Sequence, residues 1–454
     1  MRRDAVDFEK DRTSDLFRKL FVPTLIGSLS LSAVTAIDGI FIGHGLGTEA
    51  LAAVNLIVPV WILFISIGLM LGIGSSVVMS IHLSKQNIKA ARINLTQAMI
   101  ASNVVVFIIS VLILMFPSRT AILLGASEDL VPLVRDYLIG VTPGFIFQQW
   151  SLIGLFAIRL DGSPNVAMIS NLLNGITNVL LDYLFIFPFG WGMLGAAAAT
   201  GTSIFVGGAV AIWYFIFKAR KIRPIRIKGS ITSLKLSIRN IGYQCRIGFP
   251  TFIGEFAMAV ITFVGNFTFM HYLGTDGVSA FGVACYYTPL LFMVANAIST
   301  SAQPIISYNF GAGRREKISE TERIITVSSL FFGVGVSLAF VLFPEIFVTL
   351  FIDSNTQAAR IAIEGLPYFA SGFLFLILDI VAIGYLQSLE KVKAPTIFSL
   401  LRGLILVVPA YIFLPKLFST AGIWLSTAAA DFITFLMILL YLLFMKRQGK
   451  LSHS

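Results

Sequence analysis

Five carboxylates lie inside long apolar stretches of this chain, where an acid side chain is least expected. Each is costly in hydrocarbon unless it is paired, hydrated or protonated. Few basic residues occur at comparable depth to neutralise them. Unpaired acids in such a setting suit the binding of a proton, a sodium ion or an organic cation. The five residues are Asp38, Asp182, Glu255, Asp379 and Asp431.

Four polar residues of the first half form a candidate cation site. Asn178 and Asp182 are four residues apart, so they share one face of a helix. Asp38 supplies a second carboxylate from the first apolar stretch, and Thr200 supplies a hydroxyl. Oxygen ligands of this kind suit a proton relay or a hard cation such as Na⁺. The alternative is a set of interhelical hydrogen bonds that only holds the helices together.

The second half carries acids at other positions. Glu255 and Asp379 are candidates for a substrate site or a second cation site, and Asp431 is suited to bonding with a neighbouring helix. Arg402 is expected near a helix end, where it can extend to the membrane interface. Four further residues are candidates for lining a cavity: Tyr286, Tyr287, Gln303 and Phe375.

Composition places these residues in an integral membrane protein. The chain is 57% hydrophobic and 12% charged, whereas soluble domains carry about 25% charged residues. A bilayer core requires about 20 apolar residues per helix. On that criterion the sequence predicts an all-α fold of twelve spanning helices. Their predicted ranges are 14–43, 50–83, 93–116, 133–158, 165–188, 193–218, 240–272, 277–308, 323–350, 361–389, 395–415 and 420–445.

An internal repeat divides these helices into two sets of six. Leu46–Glu49 recurs as Leu273–Asp276, and Pro23–Gly27 recurs as Pro250–Gly254, both 227 residues later in a chain of 454. Because each half has an even number of helices, the halves are predicted to be parallel repeats around a central cleft, related by an axis along the membrane normal. The predicted domains are a first lobe at 1–218, a basic linker at 219–240 and a second lobe at 241–454.

Two matched prolines interrupt the first helix of each repeat. A proline inside a helix removes one backbone hydrogen bond and bends the helix. Pro23 and Pro250 are therefore candidate hinges, and a fixed static bend is the alternative.

The distribution of charge indicates topology. The chain has a net charge of +10, and nine Lys or Arg with no Asp or Glu lie between 218 and 246. Basic residues in alternate loops predict that both termini are cytoplasmic. They favour attraction to anionic lipid over nucleic-acid binding.

Signatures of enzymes are lacking in the sequence. The Gly72–Gly74 segment has no third glycine for a dinucleotide site, and no phosphate-binding loop with Gly-Lys-Ser/Thr is present. The chain is therefore predicted to be neither an enzyme nor a user of a cofactor.

The chain resembles the multidrug and toxic compound extrusion (MATE) family, in its DinF-like and MepA-like branch. The resemblance rests on the six-plus-six layout and on three segments: Asp38–Gly43 with Leu46-Gly47, Ala50–Ala53, and Gln303–Gly313. It implies that Asp38, Asn178, Asp182 and Thr200 bind the coupling cation, as in DinF-like members. Glu255 and Asp379 resemble the acids that matter in NorM-like members, although Phe375 stands where a tyrosine is expected.

The resemblance also implies a function. It predicts a monomeric, multi-pass transporter of the inner or plasma membrane that exports cationic or amphipathic drugs against inward flow of H⁺ or Na⁺. The alternative within the same superfamily is a flippase for a lipid-linked saccharide, which would need cationic cavity residues for a pyrophosphate. A passive channel and an intramembrane transferase are the remaining alternatives.

Overall fold

A computed structural model describes residues 6–227 and 229–448. Lys228 of the predicted linker and both chain ends lie outside this part. The described residues are helical and contain no strand. The first eight helices are α1 (Thr13–Leu46), α2 (Thr48–Ser84), α3 (Ile88–Met115), α4 (Pro117–Leu123), α5 (Val131–Val141), α6 (Gly144–Leu160), α7 (Pro164–Ile186) and α8 (Gly192–Phe217). There follow α9 (Ile231–Gly311), α10 (Arg315–Leu342), α11 (Pro344–Thr349), α12 (Gln357–Ala370), α13 (Phe373–Ser388), α14 (Lys393–Leu400), a π-helix (Leu401–Ile405) and α15 (Val407–Arg447).

The spans agree with the predicted count of twelve. Eight helices are long and apolar enough to cross a membrane, and two bent pairs bring the number to ten. The 81 residues of α9 would measure about 120 Å, roughly four times the thickness of a bilayer core. This helix breaks at Gly274, and α15 breaks at Ser419, so each supplies two spans. The prediction of an all-α membrane protein with twelve spanning helices is confirmed.

The fourth and tenth predicted helices are bent. The first consists of α5 and α6, which meet at 53°, and the second consists of α12 and α13, which meet at 42°. Thr142 and Pro143 occupy the first break, and Ser371 and Gly372 occupy the second. Hydropathy gives the length of an apolar stretch but no information on a change in helix direction. The sequence therefore predicted α5 with α6, and α12 with α13, as single helices.

Two compact units make up the chain, Met1–Phe249 and Pro250–Ser454. The start of α9 belongs to the first unit because it lies directly against α2 and α3. A Cβ on Gly74 would overlap the carbonyl of Gln244, and the Gln244 amide donates to Asn94 Oδ1 at 2.8 Å. Residues 231–240, predicted as linker, form the first turns of this helix.

Asp161 fixes the connection after α8 to the first unit. It caps the end of α6 and is 8% exposed. Its Oδ2 accepts hydrogen bonds from the Tyr214 hydroxyl at 2.8 Å and the Arg220 amide at 2.7 Å. Its Oδ1 accepts from the amides of Lys221 and Ile222 at 2.7 and 2.8 Å. Three successive backbone N–H groups around one carboxylate form an anion-binding concavity that holds this segment in place.

Asp161→Ala should therefore release the connecting segment and expose Arg220 and Lys221 to trypsin. Each lost hydrogen bond to a charged acceptor contributes about 1.5–3 kcal/mol, so the initial cleavage rate should rise roughly tenfold or more. The measurement is limited proteolysis of the purified protein, with mapping of the cut sites. Asp136→Ala is the matched control, since the Asp136 side chain is 38% exposed and bonds to its neighbour Arg135. Equal cleavage of the two variants would contradict this role of Asp161.

Candidate functional site

Two carboxylates of the first unit lie next to each other. Asp38 on α1 and Asp182 on α7 lie within hydrogen-bonding reach of each other. Asp182 is fully buried. Neither of its oxygens has a hydrogen-bond donor in the described part of the chain, and the same holds for Asp38 Oδ1. Two ionised carboxylates can only accept hydrogen bonds, so this pair requires a shared proton or a cation.

The amide and hydroxyl predicted for this site are also present. The Asn178 side chain interacts with Asp182 one turn away on α7, and its Nδ2 donates to Thr200 Oγ1 on α8 at 3.4 Å. The Thr200 hydroxyl donates to the Ala196 carbonyl at 3.0 Å. The structure thus brings together all four residues that the sequence singled out in this half.

Tyr137 is a member of the cluster that sequence reasoning missed. It lies on α5, is 1% exposed, interacts electrostatically with Asp38 and Asp182, and reaches the Thr200 hydroxyl. The available signal was its position within a predicted span, because a buried tyrosine hydroxyl normally finds a polar partner. Its partners lie on other helices, so the sequence alone did not reveal the pairing.

Glycines set the helix spacing that the cluster requires. A Cβ on Gly175 of α7 would stand 2.6 Å from Val34 of α1, so the two acid-bearing helices approach closely. A Cβ on Gly201 of α8 would stand 2.9 Å from the Gly140 carbonyl of α5, beside Thr200 and one turn from Tyr137. Small residues of this kind allow close packing of membrane helices.

Gly201→Val should push α5 away from α8 and separate Tyr137 from Thr200. Overpacking of this kind destabilises by about 1–3 kcal/mol, so the thermal unfolding midpoint in detergent should fall. Gly335→Val on α10 is the control, because a Cβ at that position meets no atom within 4 Å. If the two valine variants unfold at the same temperature, the close approach at Gly201 does not constrain the helices.

The second unit contains a buried ion pair and a lone acid. Arg402 Nε donates to Asp431 Oδ1 at 2.8 Å, with the two side chains 6% and 8% exposed. The expectation that Arg402 extends to the membrane interface is therefore wrong, since the guanidinium is turned inward to an acid. The expectation that Asp431 bonds to a neighbouring helix is confirmed. Asp379 is fully buried, and neither of its oxygens has a described partner.

The remaining candidates of this unit are dispersed. Glu255 is partly exposed on α9, and no ion pair reaches it among the described residues. The Tyr287 hydroxyl donates to the Phe347 carbonyl at 2.9 Å, and Tyr286 stacks on Phe351. Gln303 Nε2 donates to Ser307 within α9, and Phe375 packs on Phe432 and Phe435. A small cavity of about 70 Å³ lies beside the Arg402–Asp431 pair, and its lining includes Thr262, Cys285, Phe373, Thr427, Arg402 and Asp431.

The fold and the buried acids define a class of helical membrane transporters, and comparison with known proteins gives the family. The MatE family profile matches residues 23–184 and 250–412, more than half of the chain, and the two matches begin at the matched prolines. The chain belongs to the MatE family. Membership of a transporter family also confirms that the chain is not an enzyme. Family and spans together place it in the plasma membrane.

Relatives and solved structures agree with this membership. The multidrug export protein MepA of Staphylococcus aureus (strain NCTC 8325 / PS 47) is 24% identical over 449 residues, which is 96% of this chain and 95% of MepA. MepA of Staphylococcus saprophyticus is 25% identical over 450 residues, with the same coverage. A multidrug resistance MATE transporter of the MOP superfamily in an outward-facing conformation superimposes with a TM-score of 0.89 at 22% identity, covering 99% of each chain.

Proposed function

We propose that this chain is an efflux antiporter that exports cationic or amphipathic compounds in exchange for inward flow of H⁺ or Na⁺. The observation that carries the proposal is the Asp38–Asp182 pair, whose unpartnered oxygens lie in a membrane-spanning part of the fold. The names of the MepA relatives support drugs as the exported class.

The proposed cycle is alternating access. A proton or sodium ion binds at Asp38 and Asp182, with Asn178 and Thr200 as further oxygen ligands. Neutralising the acids removes the attraction for a cationic drug, which leaves on the outer side. Release of the coupling ion into the cytoplasm restores the negative charge and with it the affinity for drug. Drug and ion must change each other's affinity reciprocally for this exchange to work.

Protons are the favoured coupling ion, and sodium is the alternative to be tested. A pair of carboxylates within hydrogen-bonding reach can share one proton without any further ligand. The second unit, with Glu255 and Asp379, is proposed to bind substrate or a second cation. Both termini are proposed to be cytoplasmic, Pro23 and Pro250 to act as hinges, and one chain to suffice for transport.

Asp38→Asn should abolish uphill ethidium transport in proteoliposomes, because the neutral amide can neither take up nor release the coupling ion. A pH gradient and a sodium gradient should be imposed separately, so that the driving ion of the unaltered protein is identified in the same assay. Asp129→Asn is the matched control, since Asp129 lies exposed between α4 and α5. Full transport by Asp38→Asn protein would refute the proposed coupling site.

Glu255→Gln should reduce transport of some substrates and leave others unchanged, because a carboxylate contacts only part of a chemically varied set of cations. Rates across a panel of cationic dyes and drugs give the measurement. Glu345→Gln, at an exposed position of α11, serves as the control. A uniform response across the panel would assign Glu255 to packing.

The flippase alternative receives less support from the charges. Recognition of a lipid-linked pyrophosphate calls for free cationic groups, whereas Arg402, one of two arginines buried in the described part of the chain, is already bonded to Asp431. If no ethidium moves under either gradient, the flippase for a lipid-linked saccharide becomes the favoured function.

A further inference from the structure

The buried ion pair of the second unit lies at an irregular turn. Arg402 belongs to the π-helix Leu401–Ile405, which interrupts the path from α14 to α15. This turn packs closely on α9, because a Cβ on Gly403 would overlap Ala257. Short π-helical turns in membrane and soluble helices occur frequently at functional sites. The turn directs the Arg402 guanidinium to Asp431 on α15, 29 residues further along the chain.

Asp379 lies in the same buried region. Helix α13 approaches α15 closely at its start, where a Cβ on Gly372 would stand 2.7 Å from Ala428 Cα, one turn before Asp431. Asp379 interacts electrostatically with both Asp431 and Arg402. It is 0% exposed, and neither of its oxygens has a described hydrogen-bond partner. The unit therefore groups two carboxylates with one guanidinium.

The charges of this triad do not balance. A guanidinium stays protonated in proteins, so Arg402 contributes a permanent positive charge that cancels one carboxylate. With both acids ionised the group keeps one negative charge in a place that water hardly reaches, which is unfavourable. One further positive charge is required. The neighbouring cavity of about 70 Å³ has room for a few water molecules, and drug-sized ligands need roughly 300 Å³ or more.

We propose that Arg402 is a built-in counter-ion that limits the cation site of the second unit to a single exchangeable proton, carried by Asp379. The inference rests on the proposed function, in which this unit binds a second cation, and specifies how that site is regulated. Arg402 neutralises Asp431, so Asp379 is the acid left to titrate. Without Arg402, two uncompensated acids would hold a proton too firmly for release. Without Asp431, the guanidinium would neutralise Asp379, and Asp379 would not take up a proton.

Other ionisable groups lie on the helices packed around the triad, and the test has to separate them from Asp379. Helix α9 carries Glu255 and Cys285, and α15 carries Tyr411, which interacts with Asp431. Glu322 of α10 accepts from the Tyr385 hydroxyl of α13 at 3.2 Å. Arg360 and Glu364 of α12 are exposed.

The test is difference infrared spectroscopy of the purified protein in lipid, which follows the carbonyl stretch of protonated carboxyl groups as the pH is changed. The band lost in Asp379→Asn protein is assigned to Asp379. Arg402→Gln should move the half-protonation pH of that band upward, and Asp431→Asn should move it downward, each by about 1–3 pH units. The double variant restores one net negative charge, and Arg402→Lys keeps the charge; both should titrate close to the unaltered protein.

The opposite directions of the two single variants distinguish a charge effect from loss of packing. Three results would overturn the proposal. The half-protonation pH could shift in the same direction in both single variants, or that of the double variant could differ from the value of the unaltered protein. The third is the absence of a titrating band in the unaltered protein. If Arg402→Gln protein does not fold, Asp431→Asn and the double variant still decide the question. The infrared measurement does not require transport. If the Asp379 band titrates as expected but no ethidium moves, the efflux proposal is refuted and this inference is retained.

Discussion

Burial of negative charge inside apolar helices is the constraint on which the rest of this structure depends. The first unit places Asp38 against Asp182, and both Asp182 oxygens and Asp38 Oδ1 have no donor among the described residues. The second unit pairs Asp431 with Arg402 and leaves Asp379 alone. Neither arrangement is neutral when all groups are ionised. Both units therefore need an added positive charge, and such a need is what a transporter can link to an ion gradient.

Helix packing makes this unfavourable arrangement possible. Gly175 and Gly372 lie where two acid-bearing helices approach each other closely, and Gly201 lies where the Thr200 helix meets the Tyr137 helix. Each of these glycines lies within two turns of an acid or of a group that bonds near it. Close helix packing and short distances between the charged groups therefore go together. A larger residue at these positions would disturb both.

The sequence predicted the spans well because apolar runs and the 227-residue repeat are properties of the chain alone. It missed the bends at Pro143 and Gly372, since a break changes the direction of a helix without changing its hydropathy. In the first unit, Asn178 and Asp182 were paired correctly through helical spacing. Tyr137 was missed because its neighbours come from other helices. Arg402 was expected to reach the membrane interface because its partner Asp431 lies on another helix, 29 residues away in sequence.

The boundary between the two compact units has a consequence for how the repeats divide the chain. By the 227-residue repeat, residues 231–249 are counterparts of residues 4–22, so they belong by descent to the second copy. In space they fold with the first unit, together with the segment held by Asp161. The boundary between the sequence repeats and the boundary between the compact units therefore lie at different residues. The repeat assigns residues 231–249 to the second copy, whereas the second compact unit begins at Pro250.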